Sequence, residues 1–330
     1  MSKTIVLVGC GNIGSRTLQS LLGIDSANLQ SLTIWCFDPN PKSLELAQTR
    51  AAEVSTAADA NGHKVEFVNR LHDLPTHADL AIISTTSSHR WSATNELLAH
   101  TSVERLILEK FLFTEAEHYG LAAELFAKTG TSCWVNCPRP AWPGYLNLAT
   151  RIKGRGPVQA RVAGSNWAMA SNVIHFLAAF SAITGERFTE FDSHRLDPEP
   201  IENKRGGYKE ISGTLGAIGS GGSRVDILCD TASRSGITVD ILSSAGRFIL
   251  FEAQNKMLFQ AEDSDWQWSE TEFPMLFASQ MSAAFAELMT AGRCPLPTFE
   301  DMTEPHLALM RVFNSVFFGD DSLSRPTPVT

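Results

Sequence analysis

The sequence predicts an α/β protein whose first part is a doubly wound parallel sheet, followed by an α+β part with a mainly antiparallel open sheet. Three observations carry this. A short apolar strand runs directly into a G-x-G-x-x-G turn and a helical pattern; apolar runs and helical patterns then alternate as far as residue 137; and beyond residue 138 successive strands replace the alternation. At roughly 150 residues per domain, 330 residues also suggest two domains. The expected division is 1–137, a dinucleotide-binding Rossmann domain, and 138–330, a substrate-binding and oligomerisation domain.

The first strand is IVLV, residues 5–8, fully apolar as a buried parallel strand requires. Gly9, Gly11 and Gly14 follow, then a helix with Ile13, Leu18, Leu21 and Leu22 as its apolar positions. In this setting Gly9 permits the tight turn, Gly11 lets a pyrophosphate approach the backbone, and Gly14 lets helix and strand pack closely. The helix start, with Asn12 and Ile13, offers backbone N–H groups and a positive dipole end to phosphates. The next strand, in SLTIWCFDPNP, ends at Asp38, 24 residues after Gly14. A carboxylate there accepts hydrogen bonds from ribose hydroxyls and repels a 2′-phosphate. Pro39, Asn40 and Pro41 follow it with no adjacent arginine, so NAD is favoured over NADP.

The alternation continues through KSLELAQTRAAEV, KVEFVN, ADLAIISTTSSHR, RWSATNELLAH, VERLILEKFL, EAEHYGLAAELFAKTG and SCWVNCP. Ligands bind such sheets at the carboxyl ends of the strands. Thr85, Thr86, Ser87, His89, Glu109 and Lys110 fall at those ends and are the further candidates for cofactor contact and chemistry.

In the second part, SNWAMASNVIHFLAAFSAITG reads as an apolar helix with His175 near its middle. Strands with period-two alternation follow, as in SRVDILCD and GITVDILSS. GAIGSGGS reads as a flexible turn, the last 60 residues as further helices closed at Gly292, and the tail GDDSLSRPTPVT as disordered. Candidate substrate contacts are Arg139, Trp167, Asn172, Lys204 and Arg205, with Trp142 and His306 behind them. The two arginines and the lysine could grip an anionic group. An open sheet with one uncovered face suggests pairing with a copy of the chain, as a homodimer or homotetramer.

Composition narrows the function classes. The net charge is −9 and no Lys/Arg-rich block occurs, which argues against a nucleic-acid partner. No stretch reaches the roughly 18 apolar residues of a membrane span, and the start lacks a signal-peptide pattern. The six cysteines show neither C-x-x-C pairing nor a disulfide spacing, so neither a metal site nor disulfides are expected, and the location reads as cytoplasmic.

These motifs together resemble the glucose–fructose oxidoreductase / inositol 2-dehydrogenase (Gfo/Idh/MocA) family over residues 5–313. GCGNIG with Asp38 is similar to the family's NAD site. DLAIISTTSSHR is similar to its cofactor loop, LEKFL to its Glu-Lys-Pro signature, and SNVIHFLAAFSAITG to the helix bearing its active-site histidine. The resemblance implies an NAD-dependent oxidoreductase acting on a secondary alcohol or ketone of a sugar or nucleotide-linked sugar. His175 would be the general acid/base, Lys110 would stabilise the alkoxide or relay the proton, and Glu109 would orient the nicotinamide ribose or the strand end. Two other implied readings are a permanently bound NAD used as a transient redox cofactor, in an epimerase or glycosidase-like reaction, and a non-catalytic NAD-binding partner or sensor. The chain departs from the family at three places. Ser171 and Ala178 stand where carboxylates flank the histidine, and Phe111 in place of proline is expected to remove a fixed backbone turn next to Lys110 and, often, a cis bond.

Overall fold

In the computed structural model, which describes residues 2–25, 29 and 31–330, the chain divides into two units. One comprises Met1–Phe113, Glu117–Pro138 and Leu276–Phe299; the other comprises Thr114–Ala116, Arg139–Met275 and Glu300–Thr330.

The first unit opens with β1 (Lys3–Val8), α1 (Asn12–Leu22), β2 (Leu32–Phe37), α2 (Pro41–Ala52), α3 (Ser55–Ala60) and β3 (Lys64–Val68). It continues with β4 (His77–Ile83), α4 (Ser87–His100), β5 (Ser102–Glu109), α5 (Glu117–Thr129) and β6 (Ser132–Asn136). The six strands form one sheet in the order β3-β2-β1-β4-β5-β6, with every pair parallel. Ile5, Val6 and Leu7, and likewise Leu80 to Ile83, are fully buried, which is why these strands read as unbroken apolar runs and not as alternating ones. The strand order reverses between β1 and β4, so the carboxyl ends of those two strands flank a crevice. α2 starts cleanly because Asn40 accepts from the Lys42 N–H (3.1 Å) and Pro41 occupies the first helical position.

In the second unit, α6 (Pro143–Ile152), β7 (Gln159–Ser165), α7 (Met169–Thr184) and β8 (Phe188–Leu196) precede a two-stranded ribbon of β9 (Ile201–Glu202) and β10 (Lys209–Glu210). Then come β11 (Gly213–Gly219), β12 (Arg224–Asp230), β13 (Thr238–Ser243), β14 (Gly246–Phe251), β15 (Lys256–Gln260) and β16 (Ser269–Glu272). The large sheet runs β16-β15-β14-β13-β7-β12-β11-β8 and is antiparallel except for β7 against β12. One face buries Leu215, Ala217, Val225, Ile227, Val239 and Ile241. The other presents an open groove of about 590 Å³ whose lining includes Arg161, Arg195, Arg224, Arg247 and Asp226. Arg195 pairs with Asp226 (2.5 Å) and Arg247 with Asp240 (2.6 Å) on that face.

α8 (Ser282–Ala291) ends at Gly292 (φ +68°) and belongs to the first unit, where the Ser282 hydroxyl donates to the Ser20 carbonyl (2.7 Å). α9 (Phe299–Phe318) follows. Two expectations need correction. GAIG is not part of a flexible turn but lies in β11, because Leu215 and Ala217 alternate inward there and only residues 220–222 turn. The tail is not disordered either. Thr327, Val329 and Thr330 are buried, the Thr327 N–H donates to the Thr114 carbonyl (2.7 Å), and the Pro328 carbonyl accepts from the Lys209 N–H (2.7 Å). Small side chains and prolines let this segment pack closely while its backbone stays hydrogen-bonded.

Candidate functional site

The glycine loop between β1 and α1 has the three geometries its spacing predicts. Gly9 sits at φ +87°, and a β-carbon there would meet the Thr85 backbone nitrogen at 2.9 Å. A β-carbon on Gly14 would stand 1.8 Å from the Gly9 carbonyl oxygen, so only glycine lets α1 leave the strand at this angle. Gly11 instead faces open space: a β-carbon there would meet nothing within 4 Å, and Asn12 and Ile13 beside it are exposed. α1 carries no acidic side chain in its first turn and no side-chain cap, which leaves its positive end available to an anion.

Asp38 is tied to this loop. Its Oδ2 accepts from the Cys10 N–H (2.8 Å) and its Oδ1 from the Asn40 N–H (2.8 Å). The carboxylate is therefore fixed at the end of β2 while each oxygen keeps a second lone pair. A backbone cradle beside a fixed carboxylate suits a dinucleotide: the phosphates fit the open side of Gly11, and a ribose diol fits Asp38.

Across the crevice, Thr86 is the N-cap residue of α4, and its hydroxyl lies 3.0 Å from His89 Nδ1, which is equally close to Ser88 Oγ. Ser87 begins the helix and is buried. Glu109 closes β5, buried, and accepts from the Asn136 side-chain amide. Burial pushes its carboxyl up, against the opposing pull of the Asn136 hydrogen bond and of the charges on Arg90 and Lys110. Lys110 follows, half-buried, at the strand end.

The Lys110–Phe111 peptide bond is cis, which corrects the expectation that replacing proline with Phe111 removes that geometry. The turn after Lys110 is held by other groups. The Phe111 ring is fully buried, and Arg90, itself only 1% exposed, donates to the carbonyls of Thr85, Phe111 and Leu112, the last at 2.7 Å. One guanidinium thus clamps the loop after β4 to the loop after β5. Sequence reasoning missed Arg90, which ended the polar stretch STTSSHR. A signal was present: Arg90, Thr94, Leu97 and Leu98 share helical spacing and form the buried stripe of α4.

In the second unit, His175 lies half-buried on α7. Asn172, one turn earlier, donates its amide to the carbonyls of Trp167 (2.9 Å) and Ala168 (3.1 Å). Trp167 donates Nε1 to the Leu228 carbonyl (3.0 Å) and packs edge-on against Phe176, with ring centroids 5.5 Å apart. Trp167 and Asn172 are thus tied together at the start of α7, with His175 one turn further along the helix. Lys204 and Arg205 stand exposed in the turn between β9 and β10. Arg139 differs from expectation. Its guanidinium is held by Glu252 (2.7 Å) and lies 3.9 Å over the Phe176 ring, so it is a structural ion pair and not an open anion fork. Trp142 is buried, and His306 is fully buried with Nδ1 2.7 Å from the Met302 carbonyl; both are core positions that a substrate does not reach. The missed residue here is Glu210, buried, which accepts from the Ser171 hydroxyl and N–H and from the Asn203 amide. No local pattern links residues 171 and 210, so only the fold brings them together.

The fold defines a class: a dinucleotide-type parallel sheet joined in one chain to an open, mainly antiparallel sheet. No protein-family model matches the chain, and no curated protein matches its sequence. Solved structures do match over nearly the whole length. UDP-N-acetylglucosamine 3-dehydrogenase GnnA from Acidithiobacillus ferrooxidans is 13% identical, with 94% of this chain and 97% of that one covered and a TM-score of 0.70. A super-repressor mutant of Gal80p from Saccharomyces cerevisiae is 12% identical, with 97% of each chain covered and a TM-score of 0.71. A myo-inositol dehydrogenase from Lactobacillus casei, solved with NAD(H) and myo-inositol, is 13% identical, with 94% and 93% covered and a TM-score of 0.64. At these identities the likeness is one of fold.

Proposed function

We propose that this chain is an NAD-dependent oxidoreductase of the Gfo/Idh/MocA family, acting on a secondary alcohol or ketone of a sugar, more narrowly a nucleotide-linked or otherwise anionic sugar. The observation that carries this is the glycine loop: closed at Gly14, open at Gly11 and locked to Asp38 through the Cys10 amide. The sugar class draws support from the shared fold with a UDP-N-acetylglucosamine 3-dehydrogenase and a myo-inositol dehydrogenase.

When bound, NAD supplies the hydride acceptor or donor. Asp38 binds the adenosine ribose and disfavours a 2′-phosphate; Thr85, Thr86, Ser87 and His89 line the cofactor's path. Glu109 orients the strand end. His175 takes the hydroxyl proton in oxidation and returns it in reduction, since an imidazole nitrogen can both accept and donate a proton. Lys110 stabilises the developing alkoxide. Trp167 and Asn172 offer a ring face and an amide to the sugar, while Lys204 and Arg205 attract its anionic group. The polar sheet face, with arginine and aspartate interleaved, suits a second copy of the chain in a homodimer or homotetramer. Six cysteines outside any disulfide fit a cytoplasmic location, and among the described residues no helix is long and apolar enough to cross a membrane.

The test is NADH formation from NAD with myo-inositol and UDP-N-acetylglucosamine as first probes. Lys110→Ala and His175→Ala should each lower turnover at least about tenfold while NAD still binds. Unchanged turnover in both removes them from the mechanism. NAD that co-purifies without net NADH formation favours the transient-redox alternative.

A further inference from the structure

α7 carries no Asp, Glu, Lys or Arg, and His175 is its one imidazole, yet a buried carboxylate is docked on its first turn. Glu210 is only 5% exposed. Its Oε1 accepts from the Ser171 hydroxyl and from the Asn203 amide (2.7 Å), and its Oε2 accepts from the Ser171 N–H (3.2 Å). β10, which bears it, is fixed on one side by pairing with β9 and on the other by the Pro328 carbonyl of the tail. Burying a carboxylate is unfavourable, and the three hydrogen bonds only offset that. A glutamine has one accepting oxygen and an amide that only donates, so the carboxylate alone accepts from all three donors through its two oxygens. The charge that comes with it stands at the first turn of α7.

Residues 171 and 175 are one helical turn apart on the same face, about 5–6 Å between β-carbons. A carboxylate held by Ser171 thus stands beside the turn that presents His175. The positive end of α7 stabilises an anion there and would by itself oppose a positive imidazole in the next turn. An anion at that end reverses the field felt by the ring. We propose that Glu210 is a positioning residue for His175, hooked to α7 through Ser171 and supplying from β10 the negative charge that the helix lacks. This rests on the role given to His175 under the proposed function. Among the described residues, the other titratable side chains on the elements packed most closely against α7 are Lys209 on β10, Arg151 and the Tyr145 phenol on α6, and Arg139, which is bound to Glu252.

The test uses the full chain labelled with carbon-13 at histidine Cε1, so that no substrate is needed. In Glu210→Gln the His175 resonance should move while those of the other eight histidines stay in place. Adding Ser171→Asp to that variant puts a carboxylate back on the same face and should return the His175 resonance toward its original position. An unmoved His175 resonance in Glu210→Gln, in a protein that still unfolds cooperatively, overturns the proposal. So does a moved resonance that Ser171→Asp fails to restore, since that is the mark of a purely structural role. If Glu210→Gln does not fold, Ser171→Ala tests the hook alone: the His175 resonance should move there as the carboxylate loses its anchor on α7, and an unmoved resonance overturns the proposal. A failed sugar screen would leave this result standing, and an unmoved resonance would leave the oxidoreductase reading standing, so the two failures are separable.

Discussion

The two units build their candidate sites by different means. In the first, backbone dominates: a glycine loop, a helix start and strand ends form a cradle that neighbouring residues in the sequence specify. In the second, side chains from distant segments meet, as Ser171 meets Glu210 and Arg139 meets Glu252. The backbone cradle leaves no room for a β-carbon at Gly9 or Gly14, whereas a side-chain assembly can be rewired one partner at a time. The contrast teaches where substitutions should be abrupt and where they should be graded.

The largest expected effect is at Gly14. A β-carbon 1.8 Å from a backbone oxygen cannot be relieved by a rotamer change, so Gly14→Ala should cost about 3 kcal/mol and abolish NAD binding, read by urea unfolding and by isothermal titration. A stable variant that still binds NAD would mean the loop is softer than its geometry. Next is Arg90, where the first unit relies on a side chain after all. Arg90→Met leaves three carbonyls without their donor, those of Phe111 and Leu112 in buried bonds, and should also cost about 3 kcal/mol, with turnover falling further than NAD affinity because the Lys110 turn loses its clamp. Asp38→Ala is milder. It should weaken NAD about tenfold and narrow the gap to NADP; equal affinities before the substitution would count against Asp38 as the selector.

The smallest effect concerns Glu109. Burial raises its carboxyl, so the folded state holds that proton more tightly than the unfolded chain. Its contribution to stability should therefore decline as pH rises from the unfolded carboxylate value of about 4.3 toward the higher folded value. In Glu109→Gln that part of the stability profile should flatten, as followed by urea unfolding over a pH series. A profile identical to that of the parent would show that the Asn136 amide and the Arg90 and Lys110 charges already balance burial.

Much of the first unit was legible in the sequence because its signals are local. The apolar run, the three glycines and Asp38 lie within 38 residues, and each glycine answers to a steric demand visible in the spacing. Arg90 was hidden because an arginine after a serine-rich stretch reads as surface, although its stripe spacing with Thr94 and Leu97 marks it as buried. The strands of the second unit were legible from alternation. Its charge pairings were not: Glu210 lies 39 residues from Ser171, and Glu252 lies 113 from Arg139. The tail was misread because TPVT lacks periodicity, and nothing local reveals that Thr327 and Val329 are buried. Composition shows whether a segment can form a core by itself, but not whether it can fill one that others build.

Cofactor choice at the Gly11–Asp38 cradle is the claim on which the rest depends. Thermal unfolding of the purified chain with NAD and, in parallel, with NADP at equal concentration tests it most directly. The expected result is a clear rise in unfolding temperature with NAD, a smaller one with NADP, and loss of that difference in Asp38→Ala. No rise with either nucleotide would contradict it.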